Sequence, residues 1–386
     1  MSGPRALAAT SGLLLLTMLA SMTPTPLYPA YREQWGLDDT QVSWIFAGYP
    51  VGVMIVLVVL GGLSDRIGRV PTLRAGAALL IAALTILAVA PSLEVLVAGR
   101  VVQGMATGLI TGAGAAALMD LHPRGARAGT ARNTLLLACG IALGPLLAGQ
   151  ATTHLPGPLV APFAVVIALL LVPFAALVPR VPRPAGDPAD TGPARLVRTI
   201  RVPRTILRPF VTAALSVAST NVTFAVLGGF GPEVIAATDS TSPTVVGGYV
   251  SAVLVVVAAT QVAARGRAPA TCMQVGAAAT AAGWGLGAWA TSTGSGPLIA
   301  ATVPLLGVGA GLGLYASAAH IALAAPVARR AEVYSAYLLA AFAALATAAL
   351  GLGAVVDAAG IVTATVTTTA ISAALLLLIV PLASRR

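Results

Sequence analysis

Residues 61–69 read Gly61-Gly62-Leu63-Ser64-Asp65-Arg66-Ile67-Gly68-Arg69. Apolar runs flank them, 41–62 on one side and 74–91 on the other. About 20 apolar residues suffice to cross a hydrocarbon core about 30 Å thick. The quoted stretch therefore reads as a compact, charged, glycine-hinged turn joining two membrane helices. Working outward, runs of similar length fill almost the whole chain. Twelve spans are expected, near 7–27, 41–62, 74–91, 95–117, 133–153, 159–178, 209–229, 245–264, 269–291, 297–323, 333–355 and 361–383. The first follows Arg5 and mimics a signal peptide, but its length and the lack of a clear small-x-small cleavage site mark it as a retained membrane helix.

Composition agrees with lipid as the solvent. The 386 residues are 58% hydrophobic and 9% charged, against about 25% charged in a soluble protein. In water such a surface would form large apolar patches. The basic residues, all arginine, give a net charge of +10, and their spacing tells what that charge is for. With the N-terminus placed inside, the inner loops hold Arg5; Arg66, Arg69 and Arg74; Arg124, Arg127 and Arg132; the long mid-chain connector; Arg265 and Arg267; Arg329 and Arg330; and Arg385 and Arg386. Only Arg32 falls outside, while the outer loops carry Glu33, Asp38, Asp39, Glu94, Glu233, Asp239 and Asp357. Cationic loops stay in the cytoplasm, so both termini are expected there. The arginines serve topology, and no nucleic-acid surface is expected.

The connector from Pro179 to Arg208 contains six prolines and seven arginines. It divides the chain into an N-terminal six-helix bundle, 1–178, a cytoplasmic linker, 179–208, and a C-terminal six-helix bundle, 209–386. The fold class is all-α integral membrane, twelve helices in two bundles.

The 61–69 turn closely resembles the loop between the second and third helices of major facilitator superfamily transporters. Val70 and Pro71 depart from that pattern, which usually continues with a basic residue. A second match is Arg100-Val101-Val102-Gln103-Gly104, like the family's Arg-x-x-Gln-Gly, and a third is Asp120-Leu121-His122-Pro123 followed by Arg127. In the fifth span, Gly140, Gly144, Pro145 and Gly149 make a pattern similar to that of drug–proton antiporters, with Ala148 in place of one glycine. The outer part of the first span, Thr23 to Pro29, looks like that of actinobacterial members. The architecture matches throughout, the motifs only in the N-terminal half; the inner turn at Arg265-Gly266-Arg267 lacks the Asp-Arg portion.

What the resemblance implies is alternating access about a midplane site. The inner gate would comprise Gly61, Asp65, Arg66, Gly68, Arg69, Asp120 and Arg127, with Asp120 paired to Arg69 or Arg66. Two arginines in an inner loop also satisfy the positive-inside rule alone, and Asp120 reads equally as a solvated charge. Arg100 would face the central cavity with Gln103 one turn further in; a charge at mid-membrane costs ~2.5–3.5 kcal/mol and needs protein or water around it. Snorkelling to the interface is the plainer alternative. Gly140, Gly144, Pro145 and Gly149 would form a hinge in the fifth span. Further polar or aromatic cavity candidates are Tyr49, Asn221, Tyr249 and Tyr315, with Phe224, Trp284 and Tyr337 beside them. Trp44 and Trp289 read as interface anchors.

No span carries an Asp or Glu at its middle. Proton coupling is therefore implied by the family, with no obvious buried carrier. His122, His154 and His320 share no helix turn, and Cys139 and Cys272 lack ligand spacing, so neither metal nor cofactor is expected. No Gly-x-x-x-x-Gly-Lys-Ser/Thr exists in a chain without lysine, which removes ATP as the energy source within the chain. The expected function is proton-coupled efflux of small neutral or amphipathic compounds by a monomer in the plasma membrane of a bacterium. An importer of a small metabolite keeps the fold and reverses direction. An intramembrane enzyme would need clustered Asp, His or Ser at one depth, and a transport-dead sensor is a further alternative; the chain is not expected to be an enzyme.

Overall fold

The computed structural model describes residues 3–177, 202–326 and 329–384. Most of the expected linker, 178–201, lies outside the described residues, as do Arg385 and Arg386. Every long element is a helix.

In the first half α1 is Gly3–Met22, α2 Tyr28–Trp35, α3 Asp39–Val59, α4 Leu63–Ile67, α5 Arg69–Ala88, α6 Leu93–Leu121, α7 Ala126–His154 and α8 Ala161–Leu177. In the second, α9 is Leu207–Gly229, α10 Gly231–Ala236, α11 Pro243–Ala263, α12 Pro269–Thr293, α13 Gly296–Ala324 and α14 Arg330–Ser384. Among the described residues, nine helices are long and apolar enough to cross a membrane. The 17-residue α8 is apolar but shorter. The 25-residue α12, rich in Ala, Gly and Thr, is not among the nine. Two expected spans, 333–355 and 361–383, fall within α14, which breaks at Gly360 with φ 77° and ψ 171°. That backbone geometry is closed to residues with a Cβ and open to glycine.

Sequence chemistry sets the ends. Asp38 caps α3 by accepting from the Gln41 backbone N–H, and Gln41 Oε1 accepts from the Asp38 N–H in return. This reciprocal pairing satisfies two donors that the helix leaves unpaired. Pro24 and Pro26 bring no N–H to continue α1, so the helix gives way to a short 3-10 turn, Thr25–Leu27. The quoted 61–69 stretch forms the one-turn α4, and Gly68, at φ 93°, turns the chain into α5.

Successive long helices run back and forth, so the molecule has two ends. One, the loop end, holds 60–68 together with Asp120, Arg208 and Leu382. The other, the far end, holds the start of α3 and the close of α1, α7 and α9. Packing between helices depends on small residues. No Cβ fits at Gly52 or Gly104, which press against the backbones of α6 and α3 respectively, the close approach that membrane helices use in place of a hydrophobic driving force. The main apolar core crosses both halves, from Phe46 and Leu84 to Phe230 and Val250. A second core, with Met273, Tyr337 and Ile379, lies within the second half.

Candidate functional site

Arg100 is 1% exposed. Its Nε donates to the Ile45 carbonyl at 3.1 Å and its Nη1 to the Ser21 carbonyl at 3.0 Å and to Gln103 Oε1. Gln103 Nε2 donates to the Ala20 carbonyl at 2.8 Å. The guanidinium also stands 5.1 Å from the centre of the Tyr49 ring. The arrangement uses the end of α1, where the Ala20 and Ser21 carbonyls lie in the last turn and accept from Gln103 and Arg100. A cation at a helix C-terminus is favoured by the backbone dipoles. Arg100 and Gln103 thus pin α6 to α1 and α3, with their polar atoms spent on protein rather than on an open cavity.

At the loop end, Arg69 Nη1 lies 3.0 Å from Asp65 Oδ1 and Arg69 Nε 3.3 Å from Asp120 Oδ2. One guanidinium thus bridges α4 and α6. Arg66 and Arg127 are exposed. Gly61 lies in the turn after α3.

The glycines of α7 face two ways. Gly140 and Gly144 abut the α1 backbone at Leu15 and Leu19, while Gly149 abuts Pro243 of α11. Gly247 of α11 in turn abuts the Pro145 carbonyl. The helix stays continuous through Pro145. Asn221 Nδ2 donates to the Ala341 carbonyl at 2.6 Å, and Tyr249 shares a 3.0 Å hydrogen bond with Thr302. Trp284 Nε1 donates to Thr223 at 3.0 Å, and Tyr337 shares a 2.8 Å bond with Ser317. Tyr315 is apart from these. Its hydroxyl accepts from the Gly266 N–H and donates to the Arg267 carbonyl, on the wall of a cavity of about 700 Å³ that Arg330 also lines. The predicted cavity residues therefore do not converge on one chamber. Most are bound to partners on neighbouring helices.

Sequence reasoning passed over a cluster at the far end. Arg32 of α2 pairs with Asp39 and lies 3.7 Å from Glu233 of α10. Asp357 of α14 accepts from the backbone N–H groups of Asp39 and Thr40 at 2.6 and 2.7 Å. Thr25 Oγ1 donates to the Gly228 carbonyl at 2.9 Å, and Thr244 donates to Thr153 at 3.0 Å. All these bonds join the first half to the second, except Arg32–Asp39. The Glu233 side chain is 12% exposed, and its carboxyl is pushed up to about 7, by burial first, with Arg32 acting the other way. The available signal was Arg32 itself, the single arginine in the acid-rich loops.

A family model described as Major Facilitator Superfamily matches residues 10–267. The chain is 33% identical over 124 residues to the lincomycin resistance protein of Streptomyces lincolnensis, covering 32% of this chain and 26% of that one. It is 28% identical over 236 residues to the multidrug efflux pump LfrA of Mycolicibacterium smegmatis, covering 60% and 46%. Each match thus spans less than half of the relative. A crystal structure of the nucleoside transporter NupG superposes with a TM-score of 0.76 at 12% identity, over 98% of this chain and 99% of that one; at that identity the likeness concerns the fold.

Proposed function

We infer the mode of action from one premise: this chain belongs to the Major Facilitator Superfamily. Its work is transport across a membrane, not bond-making chemistry. Twelve crossings in two six-helix bundles, 1–178 and 209–386, with both termini and the 179–208 linker in the cytoplasm, put the loop end inside and the far end outside. The membrane is the plasma membrane of a bacterium, and the working unit is a monomer.

The observation that carries the reading is the seam between halves at the far end. There α7 meets α11, α3 meets α14, and Thr25, Arg32, Thr153 and the α3 N-terminus bond across to Gly228, Glu233, Thr244 and Asp357. A carrier closed on its outer side is one of the two states that alternating access needs. The seam is built from small residues and a few polar bonds, which two rigid bundles can make and break without unfolding.

The cargo is a small neutral or amphipathic compound moved outward against a proton gradient. Arg100 is committed to backbone carbonyls, so the interior offers no free guanidinium to an anion. Relatives named for drug resistance and multidrug efflux support export. An efflux-deficient bacterial host expressing the chain should retain several-fold less Nile red, a neutral amphipathic dye, than a host with empty vector. A protonophore should abolish the difference. Greater retention of the dye on expression would reverse the direction to import.

A further inference from the structure

Two carboxylates, Asp39 and Glu233, share one guanidinium at the far end, with a third, Asp357, close by. Arg32 sits tight against Asp39, and Asp357 occupies the N–H groups at the start of α3. Glu233 is left 3.7 Å from Arg32, and its buried Oε2 has no hydrogen-bond partner among the described residues. Asp39 has won the arginine. Besides Arg32, Glu233 is relieved by a hydrogen bond from its own backbone N–H. From α2, Tyr28 faces it together with Arg32, and Asp39 faces it from α3. Of the elements packed around α10, α9 has only Arg208, at the loop end. The turn Thr25–Leu27 has no titratable group, and α11 has no charged residue and only Tyr249. A buried carboxylate in this setting is compensated only in part, by an Arg32 it shares with Asp39, and burial favours its protonated form.

We propose that Glu233 is a proton-binding site whose occupancy closes the far-end seam. The proton resides on Oε2, the oxygen without a partner. Neutral Glu233 is then tolerated between the halves, while Arg32 stays with Asp39 inside the first half. Loss of the proton restores the buried charge and favours separation, which hydrates the carboxylate. The inference rests on the alternating-access reading, since it requires that the seam open.

The sign follows from linkage. The closed seam raises the Glu233 carboxyl to about 7, whereas an exposed glutamate titrates near ~4.3. The closed state binds the proton more tightly, so acid favours closure. That preference is fully present below ~4.3 and is lost as pH rises to about 7, with the closed-to-open ratio falling up to about tenfold per pH unit between those two values and no further above them. Protons arriving from outside would thus shut the outer side, the order that an exporter driven by inward protons needs.

The test uses the full chain, purified into lipid nanodiscs, with Cys139 and Cys272 replaced by Ser and Ala. Spin labels go on Gln34→Cys and Thr241→Cys, both exposed and on opposite sides of the seam. The distance distribution is read by pulsed dipolar spectroscopy between pH 5 and pH 9, with and without Nile red. The wild-type background should move from short to long distances as pH rises, with the change complete by about 7. Glu233→Gln, a neutral mimic, should stay short at every pH. Asp39→Asn returns Arg32 to Glu233 and should move the midpoint downward, an effect that mere structural damage would not give. An unchanged pH response in Glu233→Gln overturns the proposal. So does a wild type that responds to Nile red but not to pH, and the transport reading then stands. A single fixed distance under all conditions would instead overturn alternating access itself, and this inference with it.

Discussion

At the residue scale, the question for Arg100 is what a buried cation does when no acid faces it. Here backbone carbonyls of two helices and the face of Tyr49 take the place of a counter-ion. Removing the guanidinium would take away the bonds it makes to the Ser21 and Ile45 carbonyls, and a buried acceptor left unpaired costs about 1–3 kcal/mol. Arg100→Ala should lower the thermal unfolding midpoint in detergent by several degrees, and Arg100→Lys should recover little of it. A lysine brings a point charge on a flexible stem, not a planar fork that reaches two helices at once. A melting curve by tryptophan fluorescence decides this; an unshifted midpoint would return Arg100 to the cavity. The importance of Arg100 and Gln103 was legible in the sequence, because a charge within an apolar run needs an explanation. Their partners were not, because they are main-chain carbonyls of α1 and α3, some 55 to 83 residues earlier in the chain, a link that spacing cannot reveal. Glu233 was less legible still. It reads as an ordinary loop acid, and it is buried by the packing of α10 on α9, α11 and the Thr25–Leu27 turn, the last about 200 residues away.

At the element scale, α7 touches both halves, as α3 does against α14. Gly140 and Gly144 serve packing on α1 within the first half, and Gly149 serves packing on α11 in the second. The sequence reading treated the four residues Gly140, Gly144, Pro145 and Gly149 as one hinge; the helix is continuous, and its glycines divide between two neighbours. In the proposed cycle, a side chain at Gly140 would disturb a contact within the first bundle, and one at Gly149 a contact between bundles that must open. Gly140→Val should cost about 1–3 kcal/mol of stability, as overpacking does, and reduce the yield of folded protein. Gly149→Val should leave the folded yield near wild type but cut dye efflux about tenfold, because the seam cannot close. Size-exclusion profiles and efflux rates on the same preparations separate the two effects, and equal losses of yield would refute the division of labour. The helices themselves were legible from apolar length and arginine placement. The short α2, α4 and α10 were not, since pieces of five to eight residues carry too little periodicity to stand out from the turns around them.

At the scale of the whole molecule, the two halves join through a seam in which few bonds carry charge. Such a seam suits the reversible closure proposed above, and it can be locked. Thr153 and Thr244 face each other there with their hydroxyl oxygens 3.0 Å apart, one at the close of α7 and the other at the start of α11. Side chains so near can be exchanged for a disulfide with little backbone movement, since bridged Cβ atoms stand about 3.5–4.5 Å apart. Thr153→Cys with Thr244→Cys, in the background without Cys139 and Cys272, should cross-link under mild oxidation. Efflux of Nile red should then fall at least tenfold and return on adding a reductant. Each single cysteine variant should transport normally under both conditions. The result bears on the architecture as much as on the mechanism: a molecule working as two bundles that rock must stop when the seam is tied at one end, whereas a fixed pore between immobile halves would keep conducting. Transport that persists in the fully cross-linked protein would therefore remove the rocking of the halves from the cycle.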